Sequence, residues 1–167
     1  AKYQGQYQTL KLKVQEWLAD PARLQGRTFT VAGHSLGGFL ATALTADFGA
    51  NISHAYLYNT PGIGGIDLGG VCRDDIWGWN GTRWVKHAPA MRPPGVTGAA
   101  VAYDSARERL VLFGGYCGGY HGETWEWDGT NWTALGAGVE GYYPNTVYFA
   151  GPHTVSAIAV SGNYVYV

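Results

Sequence analysis

The chain predicts a mixed fold, α/β plus all-β, and three observations carry that reading. A helix–strand–helix–strand order runs through roughly the first 60 residues. A tryptophan-rich motif occurs twice at an offset of 48 residues. Charge is distributed in blocks: residues 28–66 carry a single charged side chain, Asp47, and residues 141–167 carry none. Six of the seven tryptophans lie between Trp77 and Trp132, between those two charge-poor blocks.

The first block starts with a helix. Tyr7, Leu10, Val14, Trp17 and Leu18 recur at helical spacing and form one apolar face. Asp20-Pro21 ends it, because the proline ring clashes with a continuing turn. Residues 28–32, Thr-Phe-Thr-Val-Ala, are β-branched and apolar over the length of a buried strand. Gly33-His34-Ser35-Leu36-Gly37-Gly38 follows, then a helix of small residues from Phe39 to about Asp47. Residues 54–59, His-Ala-Tyr-Leu-Tyr-Asn, predict a second buried strand before Thr60-Pro61-Gly62. Helical connections between strands suit a parallel pair.

The Gly-x-Ser-x-Gly match falls between a strand and a helix, the setting its chemistry requires. A sharp turn there lifts Ser35 Oγ clear of the sheet as a nucleophile, with Gly33 and Gly37 giving the backbone room. The following helix directs its positive end at the serine, and the Leu36 N–H is placed to hold a developing oxyanion. The competing reading is a glycine-rich turn with an incidental serine.

These residues resemble the serine lipases and esterases of the α/β-hydrolase fold. Gly-His-Ser-Leu-Gly-Gly is most similar to the class-3-type lipase group, and Tyr58-Asn59-Thr60-Pro61-Gly62 resembles the strand end that follows its elbow helix. The resemblance spans about residues 6–66. It implies hydrolysis of a carboxylic ester or lipid by Ser35, with catalytic residues in the chain order Ser, acid, His. His153, in Gly151-Pro152-His153-Thr154, resembles the late histidine loop of these enzymes and is the expected base. Asp67 is the first choice for the acid, with Asp74, Asp75 and Glu140 as alternatives. A lone aspartate beside a glycine-rich loop also reads as a turn residue, and a loop histidine as solvent-facing. The early strand and loop that supply the second oxyanion donor in the family have no counterpart here.

The middle block is a repeat. Residues 75–84, Asp-Ile-Trp-Gly-Trp-Asn-Gly-Thr-Arg-Trp, align with residues 123–132, Glu-Thr-Trp-Glu-Trp-Asp-Gly-Thr-Asn-Trp. A period near 50 with aromatic and glycine landmarks marks a propeller blade. Asn80-Gly81 and Asp128-Gly129 are hairpin turn pairs between aromatic strands. Gly98–Asp104 and Arg109–Phe113 predict two more strands. The block resembles bacterial-type kelch repeats over about residues 72–136, with one complete blade and the last two strands of its neighbour. The tryptophans read as packing landmarks in preference to a sugar-binding stripe.

Together these readings give a partial α/β-hydrolase sheet with an inserted antiparallel kelch-like blade. The hydrolase segment covers residues 1–66, the blade 67–139, and a segment completing the hydrolase-like core 140–167. A single blade leaves large faces uncovered, so it must pack on the charge-poor blocks or on another chain that completes the sheet or blade. The chain reads as a secreted bacterial serine hydrolase. A non-catalytic binding module and a recombined chain without evolved activity are the alternatives.

Composition excludes other classes. Eleven basic and twelve acidic residues give a net charge of -1, which offers nothing to attract nucleic acid or an anionic membrane. No run reaches the ~18 apolar residues a membrane span needs. No His/Cys/Asp cluster has metal-ligand spacing, and no cofactor is expected. Cys72 and Cys117 are either paired, as in a secreted protein, or free. Residue 1 is alanine and no signal-peptide pattern occurs, which reads as a processed or excised chain.

Overall fold

The computed structural model describes residues 4–60, 72–137, 159–161 and 164–166. Helix α1 (Gln4–Ala19) is followed by a one-turn helix α2 (Pro21–Leu24), strand β1 (Phe29–His34), helix α3 (Leu36–Phe48), a short 3-10 turn (Gly49–Asn51) and strand β2 (Ile52–Tyr58). The break after α1 falls where proline requires it. Asp20 accepts a bond from Ala22 N–H, and Pro21 opens α2 at the one position where its missing N–H costs nothing.

β1 and β2 pair in parallel, as the intervening helix predicts. Strand β3 (Ile76–Trp79) then adds to β2 antiparallel and strand β4 (Trp84–His87) to β3, giving a mixed sheet of order β1-β2-β3-β4. Strands β5 (Ala100–Asp104), β6 (Arg109–Phe113), β7 (Glu123–Trp127) and β8 (Trp132–Ala137) form a second sheet, an antiparallel meander in chain order. Strands β9 (Ala159–Ser161) and β10 (Tyr164–Tyr166) pair with each other, and β9 approaches β5.

This arrangement corrects the expected fold class. The chain forms two four-stranded sheets, not an α/β-hydrolase sheet carrying a separate blade. Among the described residues the parallel component is a single strand pair. A two-stranded sheet leaves β2 with a row of unpaired backbone groups, and the first tryptophan hairpin satisfies them. The two copies of the repeat therefore lie in different sheets: β3–β4 completes the first, and β7–β8 completes the second.

The layers stack as helices, first sheet, second sheet. Val14 and Leu44 from α1 and α3 pack on Ile52 and Ala55, joined by Phe29, Val31, Trp79 and Trp84 from the same face of the first sheet. The helical face expected from Tyr7, Leu10, Trp17 and Leu18 borders this cluster. The opposite face of the sheet contributes Tyr58 and Ile76 to a second core with Leu110, Leu112, Trp127 and Trp132. Alternation along β2 explains the division: Ala55 points to the helices, and Tyr56 and Tyr58 point to the second sheet.

Both hairpin turns are built alike. Asn80 Oδ1 accepts from the N–H groups of Thr82 and Arg83, and Asp128 Oδ1 from those of Thr130 and Asn131. Gly81 and Gly129 follow with φ of 94° and 97°, where a side chain would be strained. Cys72, ahead of β3, is joined by a disulfide to Cys117 between β6 and β7, across 45 residues. The bond ties the two sheets together at one end.

Candidate functional site

Ser35 stands at the junction of β1 and α3 with φ 51° and ψ -118°, and its side chain is exposed. A non-glycine residue held there stores about 1–3 kcal/mol of backbone strain. The surrounding structure fixes it. Ser35 N–H continues the parallel ladder to Tyr58 O at 3.3 Å, and Ser35 O accepts from Gly38 N–H (3.0 Å) and Phe39 N–H (3.3 Å) to start the helix. The N–H groups of Leu36 and Gly37 open that helix, where no preceding turn supplies an acceptor. They point to the same end as the serine and can share the charge of an oxyanion.

The glycines divide the work differently from the expected pattern. A Cβ on Gly33 would lie 2.3 Å from Gly37 O and 2.6 Å from Gly38 N, so the elbow closes only on a glycine. A Cβ on Gly37 would meet nothing within 4 Å; its carbonyl is what Gly33 accommodates. Gly38, not singled out from the sequence, lets Thr60 approach: a Cβ at position 38 would lie 3.0 Å from both Cβ and Oγ1 of the threonine. The Gly37-Gly38 doublet was the available signal.

His34 turns away from the serine into the space between the sheets. Its Nε2 lies 3.2 Å from Val96 O, and its ring stacks on Tyr58 at 6.3 Å. As a bond to that carbonyl the contact uses the Nε2–H form of the ring; in the other tautomer Nε2 accepts from Asn59 Nδ2 at 3.4 Å. Asn59 Nδ2 donates to the same Val96 oxygen. Burial holds the His34 pKa below the ordinary histidine value, against the opposing pull of the Val96 bond. The ring is a structural tie between β1 and the segment that leads into β5.

Among the acid candidates, Asp75 lies at the elbow's end of the sheet. Asn59 N–H donates to Asp75 O at 3.0 Å, so Ser35, Asn59 and Asp75 form one row across β1, β2 and β3. Trp77 Nε1 donates to Asp75 Oδ2 at 2.8 Å, and Asp75 Oδ1 is buried without a hydrogen-bond partner among the described residues. Asp74 pairs with Arg92 at 3.2 Å on the surface. Asp67, Glu140 and His153 lie outside the described residues.

The remaining histidines have other surroundings. His87 meets Trp127 edge-on at 5.2 Å, and burial lowers its pKa. His121 Nδ1 is 3.4 Å from Glu123. His54 joins an aromatic cluster with Tyr56 and Tyr103. Among the described residues no group of three or more His, Cys, Asp or Glu side chains could hold a metal ion, and no helix is long and apolar enough to cross a membrane. No protein-family model matches the chain, no curated protein matches its sequence, and no solved structure matches its fold.

Proposed function

We propose that the chain is a serine hydrolase of carboxylic esters, lipids included, with Ser35 as nucleophile. The observation that carries the reading is the Ser35 backbone: a strained, exposed serine on a strand-to-helix turn that Gly33 alone permits. The motif supports this reading independently of the fold around it, since such sites recur on unrelated scaffolds.

In the proposed reaction Ser35 Oγ bonds to the ester carbonyl carbon as its proton passes to the His153 imidazole. The N–H groups of Leu36 and Gly37 hold the oxyanion. Collapse breaks the bond to the alcohol, which leaves with the proton from the imidazolium, and water releases the acyl group by the same steps. Asp67 orients the imidazole in this scheme. Asp75 is the alternative, favoured by its place in the row with Ser35 and by its unpaired carboxylate oxygen. The Cys72–Cys117 disulfide supports an oxidising, extracytoplasmic location.

The test is covalent labelling with a fluorophosphonate probe alongside turnover of a p-nitrophenyl ester. Labelling and turnover that are both lost in Ser35→Ala are expected. A folded protein that takes no label, or label that persists in Ser35→Ala, refutes the nucleophile. Comparing Asp67→Asn with Asp75→Asn then assigns the acid: the variant that loses turnover while retaining the fold identifies it.

A further inference from the structure

At the end of β1 remote from Ser35, a cleft of about 610 Å³ opens between the two sheets. Its volume falls within the roughly 300–1,000 Å³ typical of small-molecule sites. Thr30, Ser53 and His54 line it from the first sheet, and Tyr103, Ser105 and Glu108 from the strand β5 and its turn to β6. Ala32 and Val101 form part of its apolar floor.

Three aromatic rings meet at the cleft. His54 and Tyr103 are 6.2 Å apart, Tyr56 and Tyr103 5.5 Å, and His54 and Tyr56 6.4 Å, with interplanar angles of 19°, 22° and 5°. Near-equal separations rule out a column, whose outer rings would be twice as far apart. The rings form a cluster with a shared orientation, and His54 and Tyr103 present it to the cavity.

The polar lining is mostly uncharged. Ser53 Oγ lies 3.3 Å from Phe29 O and Thr30 Oγ1 3.2 Å from Ser53 Oγ. If Ser53 donates to the carbonyl, Thr30 donates to Ser53, and the lone pairs that remain accept bonds from a ligand. Glu108 is the one carboxylate among the described lining residues, exposed and with a backbone φ of 55°. The two tyrosines stay neutral phenols: burial raises both pKa values, and neighbouring charge including Glu108 adds to the shift. Arg109 bonds the carbonyls of Arg107 and Glu108 beside the carboxylate, so the cleft has no concentrated negative field to select a cation.

We infer that this cleft is a binding site for a neutral sugar ring, distinct from the Ser35 site. A pyranose offers an apolar face of C–H groups to the His54 and Tyr103 rings, and a rim of hydroxyls. The hydroxyls donate to Glu108 and Thr30 and exchange bonds with Ser105 and Ser53. The inference does not depend on the hydrolase reading, because no residue of the cleft belongs to the elbow.

Isothermal titration of the whole chain with methyl α- and β-glucosides and galactosides tests it, with choline chloride as the cationic comparison. Saturable heat with at least one glycoside is expected, weakened about tenfold by Glu108→Gln through weaker hydrogen bonds to the hydroxyls, and about tenfold by His54→Ala through the lost stacking face. Both side chains lie at the surface and outside the hydrophobic core clusters, so these variants keep the fold. Ser35→Ala should leave the affinity unchanged, which separates this site from the proposed catalytic one. Absence of heat with every glycoside, affinity unaltered in both cleft variants, or binding of choline in place of sugars overturns the inference.

Discussion

Trp127 packs on Trp132 with ring centroids 5.5 Å apart and planes tilted by 49°. At the matching positions of the first copy, Trp79 and Trp84 are 5.6 Å apart and tilted by 57°. Each hairpin thus carries the same internal pair, but the pairs face different layers. Trp79 and Trp84 border the helical core, and Trp127 and Trp132 are buried between the sheets. Each sheet offers its tryptophan pair to the layer before it, and the helices act as that layer for the first sheet.

The difference in burial predicts unequal costs. Trp127 is 1% exposed, and truncating it opens a cavity between two sheets. Trp127→Ala should lose about 3–5 kcal/mol in urea unfolding. Trp79→Ala removes a half-buried ring at the sheet's margin and should lose clearly less. Equal losses would contradict the layer assignment.

The disulfide should contribute through the unfolded chain. Closing a loop across 45 residues restricts the unfolded ensemble by about 4 kcal/mol in the chain-entropy treatment. Reduction with dithiothreitol, or Cys72→Ser with Cys117→Ser, should lower the urea midpoint with little change in the folded circular dichroism spectrum. An unchanged midpoint would show that the two sheets hold together without the covalent tie.

His34 predicts a loss of stability in mild acid. Its folded pKa lies below the ordinary value of ~6.5 because burial disfavours the cation. Below that value the unfolded chain binds the proton more readily, so stability falls as pH drops through the unfolded pKa toward the folded one. His87, also lowered by burial, acts in the same direction. Urea midpoints at pH 8 and pH 5 should differ in the parent chain, less so in His34→Gln, and least in His34→Gln with His87→Gln. Asp104 titrates in a lower window. Burial raises its pKa, but bonds from the Arg107 guanidinium and the N–H groups of Arg107 and Ala106 outweigh that. Its stabilisation is full above the ordinary carboxylate range and is lost as pH falls through that range toward the lower folded value.

Local features of this fold were legible in the sequence wherever the signal was local. The apolar stripe of α1, the strand–turn–helix around Ser35 and both tryptophan hairpins are each set by residues within about one turn or one hairpin of each other. The partner of β2 was not legible. Residues 75–84 and 123–132 are near copies, yet one hairpin adds to β2 and the other to β6. The choice depends on which strand edge is vacant, and no residue within the hairpin encodes that. The cleft was hidden for a related reason: Ser53-His54 and Ser105–Glu108 are ordinary turn and strand-end residues until the sheets bring them together. The turn at Ser35 could be read in advance because the motif proposed to carry chemistry and its backbone constraint occupy the same six residues.

That coincidence allows the elbow's geometry to be tested separately from its chemistry. Gly33 and Gly37 are equivalent in the motif but not in space. A methyl at position 33 would press to 2.3 Å on the backbone oxygen of Gly37, and backbone cannot turn aside as a long side chain can. Gly33→Ala must therefore open the turn, releasing the strained Ser35 conformation and shifting the start of α3. A loss of several kcal/mol is expected, on the scale of severe overpacking at ~3 kcal/mol or above. At position 37 the methyl meets open space inside the first turn of a helix, where alanine is favoured over glycine by up to ~1 kcal/mol. Gly37→Ala should keep or slightly raise the melting temperature and retain fluorophosphonate labelling. A Gly33→Ala protein that folds normally and still labels would show that the close Gly33–Gly37 approach does not hold Ser35 in place. A Gly37→Ala protein that unfolds would show that the glycine is needed for backbone freedom and not for space.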